Sequence, residues 1–139
     1  MTELEARTIC VDIDHTICRS AGPDTYGTAD PIPGAREALT QLREAGWVIV
    51  LFTGRHFNHW QVTIDWLKRH EFPYDQVVFG KPPARYYVDD RAVPFEGDWG
   101  RVAQVLESCF SGKAQHGRKR AESDHLFLKR RSRNLTKHA

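Results

Sequence analysis

One apolar run, Trp47–Phe52 (WVIVLF), restricts the fold of this chain more than any other segment. A strand built from it would be apolar on both faces, as are the strands of parallel sheets that are covered on both sides. A second run, Thr8–Val11 (TICV), is also apolar and rich in β-branched residues, which indicates another buried strand. Because parallel neighbours need a long crossover, usually a helix, the chain is expected to alternate strands with helices.

Helical periodicity lies between and after these two strands. Apolar residues at helical spacing predict a helix that follows Pro33 and ends at Gly46, because proline suits a first turn and glycine a helix end. The same spacing predicts further helices over 57–70 and 99–109. Shorter strands are predicted over Gln76–Phe79 and Tyr86–Val88. The alternation predicts an α/β fold with a doubly wound, mainly parallel sheet.

The link between the last two predicted strands is unusually short. It runs only from Lys81 to Arg85, whereas a crossover between parallel strands usually takes a dozen residues or more. Either Gln76–Phe79 is not a regular strand, or the sheet is shortened at this point.

The charge of the chain divides it into two parts. Residues 1–110 hold 11 Lys and Arg against 16 Asp and Glu, a net charge of −5, whereas residues 111–139 hold 9 against 2, a net charge of +7. We predict one domain over 1–110 and a basic C-terminal tail over 111–139, disordered or with one short helix. The composition of the tail favours a disordered segment exposed to solvent. Binding of the tail to nucleic acid, an acidic partner or an anionic membrane surface stays open.

The cysteines and the N-terminus indicate a cellular setting. Cys10, Cys18 and Cys109 fit neither a zinc site nor a disulfide framework, which indicates a reducing compartment. The first residues, MTELEARTIC, lack the basic start and apolar run of a signal peptide, and no stretch approaches the roughly 20 apolar residues of a membrane span. We expect a cytoplasmic protein that meets soluble substrates; homo-oligomerisation stays open.

Each predicted strand ends in residues with a charge or a hydroxyl group. In chain order these are Asp12 and Asp14, then Thr53, then Lys81, and finally the pair Asp89 and Asp90. Right-handed crossovers place the carboxyl ends of parallel strands on one edge of a sheet, where ligands bind. The sequence therefore predicts that these side chains meet at one site.

This set of side chains suits phosphoryl transfer. Carboxylates from two strands can hold Mg²⁺, which prefers oxygen ligands and neutralises a phosphate for in-line attack. Asp12 is then the predicted nucleophile and Asp14 the general acid and base, while Thr53 and Lys81 hold the transferring oxygens. The predicted metal ligands are Asp12, Asp14, Asp89 and Asp90.

The order of these motifs resembles the haloacid dehalogenase (HAD) superfamily. Asp-x-Asp-x-Thr after a strand is matched by Asp12, Asp14 and Thr16, and the later motifs are matched by Thr53, Lys81 and the acidic pair. The pieces DIDHTIC, LFTGR, FGKP and YYVDDRA look similar to small cap-less bacterial phosphatases of capsule or surface-sugar biosynthesis. The resemblance covers about residues 8–108. It implies a Mg²⁺-dependent phosphatase in which Asp12, the backbone carbonyl of Asp14 and the acidic pair bind the metal.

Four further residues are candidates for contact with the substrate: His15, Thr16, Gly54 and Arg55. His15 stands where the family most often has glycine, so its side chain either narrows the site or touches the substrate. His56 and His59 are read as solvated helix residues in preference to substrate ligands, and Tyr26 stays open between an ordinary turn and the entrance to the site.

The predicted function is hydrolysis of a phosphomonoester through an aspartyl-phosphate. The favoured substrate is a small phosphorylated metabolite, with a sugar phosphate as the first expectation from the resemblance. Two alternatives are kept: a 3′-phosphatase acting on nucleic-acid ends, which steep salt dependence would reveal, and a catalytically silent phosphate-binding module. Phosphotransfer to an acceptor other than water also stays open.

Overall fold

The structure is a computed structural model that describes residues 2–110. The predicted basic tail over 111–139 lies outside the described residues, so the division into domain and tail stays a prediction. No helix within the described part of the chain is long and apolar enough to cross a membrane.

Strands and helices alternate along the described residues, as predicted. The elements are α1 (Glu3–Ala6), β1 (Thr8–Val11), α2 (Ala35–Glu44), β2 (Val48–Phe52), α3 (Trp60–Arg69), β3 (Gln76–Val78) and α4 (Trp99–Phe110). Single turns of 3₁₀ helix, Pro23–Thr25 and Phe57–His59, precede α2 and α3.

The three strands form one parallel sheet in the order β1-β2-β3. Val11 of β1 lies opposite Leu51 of β2, and Leu51 lies opposite Val77 of β3. All three strands therefore end at the same edge. The predicted α/β fold with a parallel sheet is confirmed.

Buried apolar side chains hold the helices on this sheet. Ile49 and Leu51 in the central strand are fully buried, and so are Leu39 of α2 and Trp66 of α3. The Trp66 ring stacks on Phe72 with centroids 5.2 Å apart. Full burial of such a ring contributes on the order of 2–3 kcal/mol, which identifies this cluster as a main source of stability.

The predicted fourth strand, Tyr86–Val88, is wrong for this structure. It has no strand geometry, every residue from 82 to 94 is exposed, and β1 is left as an edge strand of the described sheet. The reason is the short connection: residues 79–85 are too few to carry the chain from the carboxyl end of β3 back to the start of a parallel neighbour. Residues Gln76–Val78 do form a regular strand, so the second alternative, a sheet that is shortened at this point, is the one observed.

The chain leaves helix α3 through a residue with strained backbone geometry. Glu71 follows the helix with φ of 56°, a left-handed conformation that costs non-glycine residues roughly 1–2 kcal/mol. Its N–H donates to the Lys68 carbonyl at 3.1 Å and that of Phe72 to Leu67 at 3.0 Å, the hydrogen bonds of a Schellman motif. Gly46, predicted as the stop of α2, occupies the same place there with φ of 87°, which confirms that prediction.

Exchanging the residue type at these two helix ends should change stability in opposite directions. We expect Glu71→Gly to raise the free energy of unfolding by about 0.5–1 kcal/mol, because relief of strain exceeds the added entropy of the unfolded chain. The exposed Glu71–Arg36 ion pair, 3.6 Å long, is worth little. Gly46→Ala should lower the same quantity by about 1 kcal/mol. Urea unfolding of both variants is the measurement, and destabilisation by Glu71→Gly would contradict the expectation.

Candidate active site

Backbone hydrogen bonds tie the loop after β2 to the loop after β3. The N–H of Thr53 donates to the Val78 carbonyl at 2.9 Å, and the N–H of Lys81 donates back to the Thr53 carbonyl at 2.9 Å. Gly80 donates to the Arg55 carbonyl at 3.1 Å. Thr53 is fully buried, and its hydroxyl oxygen accepts the N–H of Arg55 at 3.1 Å. The two predicted motifs are thus fixed to one another.

The carboxylate of Asp12 faces the ammonium group of Lys81. The distance from Lys81 Nζ to Asp12 Oδ2 is 3.6 Å, and Oδ1 of Asp12 accepts the N–H of Ile13 at 2.9 Å. The Asp12 side chain keeps 36% of its surface exposed, so an oxygen atom is accessible to a small molecule. Structure and sequence agree in placing a carboxylate and a cation together at the carboxyl ends of the strands.

Asp14 forms an ion pair with a buried arginine. Arg55 donates from Nη2 to Asp14 Oδ1 at 2.8 Å and from Nε to Asp14 Oδ2 at 3.1 Å, a two-pronged contact. The Arg55 side chain is fully buried, whereas that of Asp14 is 25% exposed. The pair therefore holds the Asp14 carboxylate in one orientation and leaves part of it open to the site.

The other side of the Arg55 guanidinium is also engaged. Nη1 donates to Thr63 Oγ1 at 3.1 Å, Nη2 lies 3.5 Å from Cys18 Sγ, and the Tyr26 ring lies 3.8 Å beneath the group. His59 packs edge-on against Tyr26 with centroids 5.3 Å apart. These contacts direct Arg55 toward the interior, so its predicted contact with substrate stays a prediction.

Burial also affects the ionisable neighbours of Arg55. Burial, and then the nearby Asp14 carboxylate, raise the pKa of Cys18 to about 12, so this side chain is a thiol at neutral pH. Burial likewise raises the pKa of Tyr26. Sequence reasoning left Tyr26 open and did not single out Thr63. The available signal was Arg55 itself, because an arginine three residues beyond the end of a buried strand needs a paired acceptor.

The remaining predicted substrate contacts lie around the turn after β1 and at the end of β2. His15 has φ of 61° and is exposed, which matches the tight turn expected at this position. The Thr16 carbonyl accepts the indole N–H of Trp99 at 2.8 Å, which fixes the turn. Gly54 is exposed, and a side chain there would begin 3.6 Å from the Lys81 carbonyl. Their roles toward a substrate stay predictions.

The acidic pair is not brought to Asp12 in this structure. Asp89 and Asp90 lie in the exposed segment, where Asp89 Oδ1 accepts the N–H of Arg91 at 2.7 Å. Within residues 2–110, no three His, Cys, Asp or Glu side chains are grouped so that they could hold a metal ion. Two of the four predicted Mg²⁺ ligands, Asp89 and Asp90, thus lie in a segment that forms no strand here, and the metal site stays a prediction.

Comparisons with known proteins agree with the fold. No family model matches the chain. A structural-genomics target from Vibrio cholerae shares the fold with a TM-score of 0.55 at 24% identity, over 72% of this chain and 98% of its own. A conserved protein of Bacteroides thetaiotaomicron gives a TM-score of 0.53 at 23% identity, over 73% and 90%. The chain is thus of the Rossmann-like α/β class.

One curated protein is similar in sequence. It comes from Chlorobaculum tepidum, is provisionally named a 5′(3′)-deoxyribonucleotidase, and is 34% identical over 77 residues. The match covers 48% of this chain and 38% of the relative, so this chain spans well under half the length of that protein.

Proposed function

We propose that this protein is a HAD-type phosphatase that hydrolyses phosphomonoesters with Asp12 as nucleophile. The observation that carries the proposal is the contact of the part-exposed Asp12 carboxylate with Lys81, 3.6 Å away, at the carboxyl ends of three parallel strands. A carboxylate beside a cation can attack a phosphorus atom whose oxygens the cation neutralises. The provisional name of the Chlorobaculum tepidum relative, a nucleotidase, supports the same reaction class.

The reaction has two steps in which the same residues act. An Asp12 oxygen forms a bond to phosphorus, the bond from phosphorus to the ester oxygen breaks, and Asp14, which carries a proton at the start of this step, gives it to the departing oxygen. Water then attacks the phosphorus and loses a proton to Asp14, which releases inorganic phosphate and restores Asp12. Lys81 and Thr53 hold the phosphate oxygens in both steps.

The contact with Arg55 gives Asp14 its orientation in this scheme. With both carboxylate oxygens bound by the guanidinium fork, the side chain cannot rotate away from the site. Its 25% exposure leaves a path for the proton to and from the substrate. Arg55 therefore acts in the proposal as a positioning residue.

A requirement for Mg²⁺ is part of the proposal, although the described arrangement does not assemble all the predicted ligands. When bound, the ion would neutralise phosphate charge. Removal with EDTA should abolish turnover, and added Mg²⁺ should restore it. Asp89→Asn and Asp90→Asn identify which member of the acidic pair is needed, since only loss of a ligand should raise the Mg²⁺ concentration required for half-maximal rate.

The proposed substrate is a small phosphorylated metabolite. The resemblance to capsule-type phosphatases favours a sugar phosphate, and the name of the sequence relative favours a nucleotide. Hydrolysis at nucleic-acid ends and silent phosphate binding remain the alternatives. Turnover of mononucleotides or sugar phosphates at moderate ionic strength would favour the proposal over both of them.

Removing the Lys81 ammonium group should slow the reaction strongly. We expect Lys81→Ala to lower kcat/KM for an aryl phosphate about 10²- to 10³-fold, because the transferring oxygens lose their cation. Lys68→Ala, which removes an exposed lysine from α3, is the matched control and should leave the rate unchanged. Phosphate release measured for the three proteins tests the proposal. Equal rates for Lys81→Ala and wild type would remove Lys81 from the mechanism.

A further inference from the structure

Two phenylalanines lie beside the candidate site without the burial that is usual for this residue type. Phe57 keeps 71% of its surface exposed, and Phe79 is half-buried. Their rings meet edge to face with centroids 5.8 Å apart. Phe72, in contrast, is 5% exposed, so the fold has room for buried phenylalanine elsewhere. An exposed apolar pair of this kind is typical of a binding surface.

The backbone attaches this pair to the groups that would hold a phosphate. Phe79 directly follows β3 and precedes Lys81 by two residues, a span of at most about 7 Å. Phe57 follows Arg55 by two residues, and Arg55 is bonded to the loop of Phe79 through Gly80 N–H at 3.1 Å. The loops that carry Phe57 and Phe79 are therefore the same two loops that carry Arg55 and Lys81.

The chemistry of the pair selects that further group. A phenylalanine side chain neither donates nor accepts a hydrogen bond, so it contacts a ligand through its apolar surface and not through hydrogen bonds to sugar hydroxyl groups. It offers a flat apolar face and a positive edge, which suit a planar aromatic ring. Lys81 Nζ lies 4.3 Å above the centre of the Tyr87 ring, so a third aromatic face borders the same cation.

We propose that Phe57 and Phe79 form a stacking surface for the base of a nucleoside monophosphate whose phosphate lies at Asp12 and Lys81. The inference names the substrate class of the proposed phosphatase and so rests on that proposal. A base offers the pair a larger planar surface than a sugar ring does. Stacking of a base on an aromatic side chain corresponds to about 5- to 100-fold in affinity.

The test compares two ligands that differ only by the base: 2′-deoxyadenosine 5′-monophosphate and 2-deoxyribose 5-phosphate. Calorimetric titration uses Asp12→Asn protein, so that neither ligand is consumed. We expect the nucleotide to bind about 5- to 100-fold more tightly. Adding Phe57→Ala should bring the ratio of the two dissociation constants close to one, whereas Phe57→Trp should keep it. Val93→Ala, which shortens an exposed apolar side chain away from the pair, is the matched control.

Three results would overturn the inference. The first is equal affinity for the two ligands before Phe57 is changed. The second is a ratio of the two dissociation constants that stays the same in Phe57→Ala. The third is a Phe57→Ala protein that changes its oligomeric state but not that ratio. Preference for a 3′-phosphorylated oligonucleotide over the mononucleotide would overturn the choice of ligand in favour of a nucleic-acid end. Wild-type protein that releases no phosphate from any ester, with the base preference intact, would refute the phosphatase and leave the base site standing.

Discussion

Replacing Arg55 with methionine is expected to lower the free energy of unfolding by about 3 kcal/mol. The guanidinium is fully buried and binds both oxygens of Asp14, so the substitution leaves a carboxylate with no cation in a site that is 25% exposed. The Tyr26 ring, 3.8 Å from the guanidinium, also loses its cation. Thr63 is less affected, because its hydroxyl still donates to the His59 carbonyl at 2.8 Å.

A double-mutant cycle separates the ion pair from the packing around it. If the unpaired charge of Asp14 causes most of the loss, Arg55→Met combined with Asp14→Asn should be more stable than Arg55→Met alone, by about 1–2 kcal/mol. Arg55→Lys keeps the charge but lacks the fork, so we expect an intermediate stability. Urea unfolding gives all the values, and a loss below about 0.5 kcal/mol for Arg55→Met would show that the buried pair is not formed.

The fold was predictable from sequence wherever burial leaves a strong pattern. The apolar run Trp47–Phe52 predicted a buried strand, and β2 is the central strand over Val48–Phe52. The stop of α2 at Gly46 was also readable, since a left-handed residue is needed there. The stop of α3 at Glu71 was not, because glutamate gives no signal for that conformation.

The fourth strand shows the limit of reading short apolar segments. Tyr86–Val88 has the composition of a strand, yet its position so soon after β3 prevents a parallel return, and Val88 is fully exposed. The prediction for Asp89 and Asp90 depended on that strand. The composition of three residues says little about whether they pair with a strand. The length of the connection after β3 was the more informative feature, because it is too short for a parallel crossover.

The candidate site was predictable in part. Thr53 and Lys81 were expected to meet because each follows a parallel strand, and they are joined by a hydrogen bond of 2.9 Å between their backbones. The inward direction of Arg55 could not be read from the sequence, since Asp14 and Cys18 lie 41 and 37 residues away along the chain and meet it only after folding. A single sequence shows residue types and spacing but not which side of a loop a long side chain takes.

Asp12→Asn is expected to have the largest effect on activity of any single change in this protein. The amide keeps the size of the side chain but is not a nucleophile, so kcat should fall about 10³-fold or more. Stability should change little, because the contact with Lys81 is a part-exposed ion pair. Asp65→Asn, an exposed aspartate on α3, is the matched control and should keep the wild-type rate.

Steady-state phosphate release from an aryl phosphate in the presence of Mg²⁺, measured for wild type, Asp12→Asn and Asp65→Asn, shows whether Asp12 is the nucleophile. Unfolding curves of the same samples establish that all three proteins are folded. We expect turnover by wild type and Asp65→Asn and none above background by Asp12→Asn. Equal turnover by folded Asp12→Asn and wild type would refute this role of Asp12, because the phosphorus would then be attacked by some other group.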